Sequence, residues 1–82
     1  MWKPLENLSK CDKRINLDDW MFMGTGLCGV STTIYLYKHC ETRRYLNLDE
    51  HHNFYLYSPN STLQGEYIRT LQENEAITHA LA

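Results

Sequence analysis

The sequence predicts a small α+β domain: an antiparallel β-meander of three to four strands, preceded by a short helical segment and followed by a C-terminal helix packed on one face. Three observations predict it. "TTIYLYK" (32–38), "RRYLNL" (43–48) and "NFYLYS" (53–58) alternate with period two and are rich in β-branched and aromatic residues. The stretches between them, "HCET" and "DEHH", are polar and read as turns. "TLQENEAITHALA" then ends the sequence with helical spacing of its apolar residues. A chain of 82 residues has room for one core, so residues 1–82 are expected to form a single domain.

Taken in order, Pro4, Leu5, Leu8 and Cys11 give an apolar row at helical spacing, which predicts a short helix over 4–11 with proline in its first turn. In "NLDDWMFMG", Asn16 suits a helix cap, Asp18 and Asp19 suit the positive helix N-terminus, and Gly24 stands where a C-terminus often needs positive φ. A second short helix is therefore expected over 17–23, and residues 1–30 read as a helical and loop region ending in a glycine-rich turn. The meander follows over 32–58. After the turn signal "SPNS", "EYIRTL" (66–71) is a candidate fourth strand. Thr70 and Glu73 have capping-box spacing, and Leu71, Ala76, Ile77, Ala80 and Leu81 share one side of a helix over 71–81. That helix is expected to cover the apolar sheet face, because a lone meander cannot bury enough surface to persist in water.

Composition narrows the function classes. Eight Lys and Arg against ten Asp and Glu give a net charge of −2 with no long block of either sign, so general attraction to nucleic acid or an acidic membrane is not indicated. No apolar run approaches the roughly 18–20 residues that span a bilayer, and "MWKPLENLSKCDKR" lacks the apolar core of a secretory signal. The sequence reads as cytoplasmic, without membrane contact. Cys11, Cys28 and Cys40 are odd in number, which suits free thiols in a reducing compartment.

Gly24, Gly26 and Gly29 have the spacing G-x-G-x-x-G. A dinucleotide site needs that motif after a strand and at the start of a helix, whereas here it precedes the β-forming run "VSTTIYLYK". "GTGLCGV" followed by "YKHCETRRYLNL" resembles the start of a protein-kinase N-lobe, and the resemblance implies a glycine-rich hairpin over phosphate and a lysine on the third strand. It spans residues 24–48 at most. Val30 follows the last glycine directly rather than two residues on, "RRYLNL" carries no lysine, and neither H-R-D nor D-F-G occurs. Phosphoryl transfer is thus not expected, and the glycines read as a steric entry to a β-hairpin.

His39, Cys40, His51 and His52 are ligand types suited to zinc, but they fall in turns at opposite ends of one strand, about 20 Å apart at ~3.3 Å per residue. Cys40 beside His39 has no third group to orient the imidazole. Asp18-Asp19 and Asp49-Glu50 are consecutive, which suits helix starts and turns better than facing carboxylates. No enzyme activity, cofactor or metal is expected.

The tyrosines carry the positive signal. Tyr35 and Tyr37 share a face of one strand, Tyr45 lies in the next, and Tyr55 and Tyr57 share a face of the third. With turns of odd length the five gather on one face and Ile34, Leu36, Leu46, Leu48, Phe54 and Leu56 on the other; with even turns the faces mix. The odd register is preferred because it gives the helix a wholly apolar face. Arg43 then borders the tyrosines, and tyrosine with arginine is enriched at interface hot spots. The expected binding residues are therefore Tyr35, Tyr37, Arg43, Tyr45, Tyr55 and Tyr57, and the expected function is a non-enzymatic protein interaction module. Its partner would be another protein or a second copy of the chain. In an alternative function the same rings stack on single-stranded nucleic acid while Lys38, Arg43 and Arg44 meet the backbone. In the alternative structure the tyrosines are half-buried under an N-terminal segment bearing Trp2 and Trp20.

Overall fold

The computed structural model describes residues 1–29, 31–58 and 66–82, with the backbone alone at 58 and 66–70. It is the expected α+β meander, with one sheet of strands in sequential order, each antiparallel to the next. Among the described residues the sheet has five strands: β1 (Trp20–Cys28), β2 (Thr32–His39), β3 (Tyr45–Leu48), β4 (Phe54–Ser58) and β5 (Glu66–Leu71). Helix α1 (Lys3–Cys11) precedes it and α2 (Glu73–Leu81) follows. Helix α1 carries its proline in the first turn and buries Pro4, Leu5 and Leu8, while Cys11 is exposed. No helix among the described residues is long and apolar enough to cross a membrane.

The strand beyond expectation is β1. Asn16 caps as read, its side chain accepting from the Asp18 N–H, but the helix it starts is a single 3₁₀ turn over Leu17–Asp19. The chain then runs extended, with Trp20 and Phe22 turned toward the core and Met21 and Met23 exposed. Glycines disguise a strand because they weaken one. Here Gly24 has φ +110° and sits where the β1–β2 register shifts between Phe22 and Gly24, so its positive φ serves a β-bulge rather than a helix end. Gly29, at φ +69°, lies in the turn after β1.

The register corrects the expectation of a single tyrosine face. Tyr35 pairs with Leu48, Tyr37 with Leu46 and Lys38 with Tyr45, so the first turn is even. Its physical cause is local. The His39 N–H donates to Arg44 O at 2.9 Å and the Arg43 N–H to His39 O at 3.0 Å, closing a loop of residues 40–43. His39 Nδ1 accepts the N–H groups of Glu41 and Thr42 at 3.1 and 3.2 Å, and Arg43 takes φ +66°. Arg43 is thus a turn residue, off the sheet. The second turn has the expected odd parity: Asn47 pairs with Tyr55 and Leu48 with Phe54.

The core lies between one sheet face and the two helices. Tyr35, Tyr37, Leu46, Leu48 and Phe54 from the sheet meet Leu5 and Leu8 of α1 and Ala76, Ile77 and Ala80 of α2. The chain between α1 and β1 adds Ile15. The N-terminal segment does cover Tyr37. Trp2 packs tilted against it, with ring centroids 5.6 Å apart, and lies 6.4 Å from the Phe22 ring. The capping expectation at Thr70 fails because β5 continues through Leu71, which pairs with Phe54 and packs on the core. Gln72 is the N-cap instead, its N–H donating to Glu75 Oε1 at 3.4 Å, a capping box displaced by two residues. At the other end of α2, the Thr42 hydroxyl donates to Ala80 O at 2.6 Å. Strands β1 and β5, the two ends of the ladder, approach within 8 Å between Cα atoms, so the sheet curls.

Candidate functional site: a groove between two diverging strands

Strands β3 and β4 pair at Asn47–Tyr55 and Leu48–Phe54 and diverge beyond. Arg44, Tyr45 and Leu46 on one side and Leu56 and Tyr57 on the other then line a groove of about 490 Å³. Adjacent residues of a strand point to opposite faces, so Tyr45 borders the groove from the face turned away from the helices and Leu46 from the core side. Met23, Leu36, Asn47 and Tyr55 join the lining, as do Leu71, Ala76 and His79. No Asp or Glu is among these residues; Arg44 and His79 are the basic groups.

The structure places the six expected residues in three settings. Tyr35 and Tyr37 are core residues, 8% and 0% exposed. The Tyr37 hydroxyl donates to Met1 O at 2.7 Å, and burial pushes its pKa up to about 12. The Tyr35 hydroxyl donates to Glu50 Oε1 at 3.0 Å, and holding that bond raises its pKa. Arg43 is exposed in its turn. Tyr45, Tyr55 and Tyr57 fall on the face away from the helices, but Tyr55 is 6% exposed and its hydroxyl donates to Asp49 Oδ2 at 2.8 Å. Tyr45 and Tyr57 remain, at 40% and 48% exposure, on the mouth of the groove.

Asp49 organises the turn beneath. Its carboxylate accepts the N–H groups of His51 and Asn53, the Asn53 side-chain amide and the Tyr55 hydroxyl. Burial opposes the charge, but the Asn53 backbone and side-chain bonds, with those from Tyr55 and His51, outweigh it and hold the Asp49 pKa below the ordinary carboxylate value. These bonds fix β4 against β3 at the closed end of the groove.

Several groove residues escaped sequence reasoning. Met23 lies within the span expected to be helical, and Leu36 lies on the face that the odd register gives to the helix. Asn47 did leave a signal, as a lone polar residue inside "YLNL". It is 6% exposed; its Nδ2 donates to Tyr55 O at 3.4 Å, and its Oδ1 has no partner among the described residues. A buried acceptor left so costs on the order of 1–3 kcal/mol.

The turn histidines and cysteines do not assemble. Among the described residues no three His, Cys, Asp or Glu side chains are placed to hold one metal ion. His39 commits Nδ1 to its own turn and sets its ring edge-on to Trp20 at 4.9 Å, beside an exposed Cys40. Comparison with known protein families, with curated proteins and with solved structures finds no match to this chain.

Proposed function

We propose that this chain is a small non-enzymatic interaction module that binds another polypeptide through the open end of the sheet around Tyr45 and Tyr57. One observation carries the proposal: Met21, Met23, Tyr45, Leu56 and Tyr57 are each between 36% and 48% exposed, and four of them line the groove. Contiguous apolar surface of this kind on a small domain marks an interaction site, and tyrosine contributes large contact area at low entropy cost. A second reading has its own observation. Lys38 Nζ lies 5.8 Å from the Tyr45 ring centroid, with Arg44 on the groove, a pairing that also suits stacked bases beside phosphate. The net charge of −2 weighs against it.

A photo-crosslinking residue placed at Tyr45, at Tyr57 or at the exposed control position Lys13, in cells of the native host, tests the proposal. Discrete protein adducts at 45 and 57 but not at 13 are expected, and an adduct of twice the chain mass identifies a second copy. Absence of protein adducts at both tyrosines overturns it. Salt-sensitive crosslinking to an oligonucleotide in their place selects the nucleic-acid reading.

A further inference from the structure

We infer that the groove between β3 and β4 takes an extended polypeptide segment that presents an acidic side chain next to large apolar ones. This deepens the interaction role proposed above and rests on it. Three independent observations lead to it.

The first is shape. Tyr45 and Leu46 are successive residues on opposite faces of β3, yet both line the groove, so it follows the edge of the strand rather than lying on one face of the sheet. Its volume of about 490 Å³ is in the range that encloses a ligand. A segment lying along a strand edge is itself extended and sends alternate side chains to the two faces. On one face it meets Met23, Leu36, Tyr45 and Tyr57, and on the other Leu46 and the α2 residues Ala76 and His79.

The second is charge. Among the described residues, Arg44 and His79 line the groove without any Asp or Glu, in a chain whose net charge is −2. Complementarity therefore selects a carboxylate, which a guanidinium can hold by paired hydrogen bonds. The third is the orphaned acceptor. Asn47 is more than nine-tenths buried, lines the groove, and leaves Oδ1 without a donor among the described residues. An extended segment supplies backbone N–H groups along its length, and one of them reaches the Asn47 oxygen, closed to solvent in the free chain, when the diverging strands part around the segment.

Panning randomised linear peptides displayed on phage against the folded protein tests the inference. The enriched sequences should share an Asp or Glu adjacent to a large apolar residue. A synthetic peptide of that sequence should bind the wild-type chain about tenfold more tightly than Arg44→Glu, a loss typical of a reversed charge contact. The exposed Lys13→Glu makes the same charge change elsewhere and should bind like wild type. On titration, the Asn47 side-chain amide and the His79 ring should show the largest chemical-shift changes. A consensus without an acid, no consensus, equal affinity for Arg44→Glu, or shifts centred outside the groove each overturn it. Protein crosslinks at Tyr45 and Tyr57 combined with any of these results leave the interaction role standing and remove the acidic extended segment alone.

Discussion

The Tyr55 hydroxyl donates to Asp49 Oδ2 at 2.8 Å, so a strand residue and the start of the turn before it are locked together six positions apart. Asp49 is 5% exposed and serves three further donors, from His51 and Asn53. Because these bonds hold its folded pKa below the unfolded value, the stability they confer is present above about pH 4 and is lost as pH falls through the lower, folded pKa. Thermal melts of wild type and Asp49→Asn between pH 7 and pH 2 should therefore converge toward the acid end. Asp12 is also held low, through its bonds to Arg14, and acts in the same window, so the difference between the two proteins isolates the turn. A constant gap across the window would show that the Asp49 charge is not what organises it.

Tyr37 gives the opposite sign at alkaline pH. Its folded pKa is raised to about 12 by burial, so the neutral phenol is the form that folding favours. That stability is complete below the unfolded pKa near 10 and is lost as pH rises through about 12. Ultraviolet titration of phenolate should show a late ionisation from Tyr37 that accompanies unfolding. In Tyr37→Phe that late step should disappear, and the loss of the bond to Met1 O should cost about 1 kcal/mol at neutral pH.

What the sequence made legible follows from where the deciding interactions lie. Strands β2 to β5 and both helices were readable because period and propensity are properties of neighbouring residues. The strand β1 was not, since Gly24 and Gly26 weaken its propensity and the capping signals at Asn16, Asp18 and Asp19 are genuine but extend for one turn only. The tyrosine face depended on a single parity, that of the loop at 40–43, and that parity is set by His39 Nδ1 accepting two amides, a side-chain contact that alternation does not encode. Two of the five tyrosines, Tyr35 and Tyr37, belong to the core instead. Likewise, the capping-box spacing at Thr70 and Glu73 is overridden by the long-range pairing of Leu71 with Phe54, and the helix is capped two residues later at Gln72.

Gly24 tests whether β1 depends on its bulge. An added Cβ would meet no atom within 4 Å, so any cost of Gly24→Ala is conformational and arises from φ +110°. The expected loss is ~1–3 kcal/mol by urea unfolding. Gly29 has the same open space but φ +69°, in the left-handed region that asparagine tolerates, so Gly29→Asn should stay within ~1 kcal/mol of wild type. Equal costs at the two positions would mean that the bulge is not maintained in solution.

Tyr45 and Leu46 are adjacent in β3 and provide the sharpest test of the register, because they are 40% and 1% exposed and belong to opposite faces. Leu46→Ala opens a cavity in a core that includes Phe54 and Ile77, and should cost ~2–4 kcal/mol. Tyr45→Ala removes a ring that reaches solvent beside Lys38 and should change stability by less than ~1 kcal/mol. The same contrast extends across the tyrosines. Tyr45→Ala with Tyr57→Ala should leave the melting temperature nearly intact while weakening binding of the peptide selected on the groove. Tyr35→Ala and Tyr55→Ala, at residues 8% and 6% exposed with hydroxyls bonded to Glu50 and Asp49, should each unfold the chain at lower urea. If Tyr45→Ala proves as destabilising as Leu46→Ala, the even turn at 40–43 is wrong. With it would go the groove that places Tyr45 and Tyr57 on one rim.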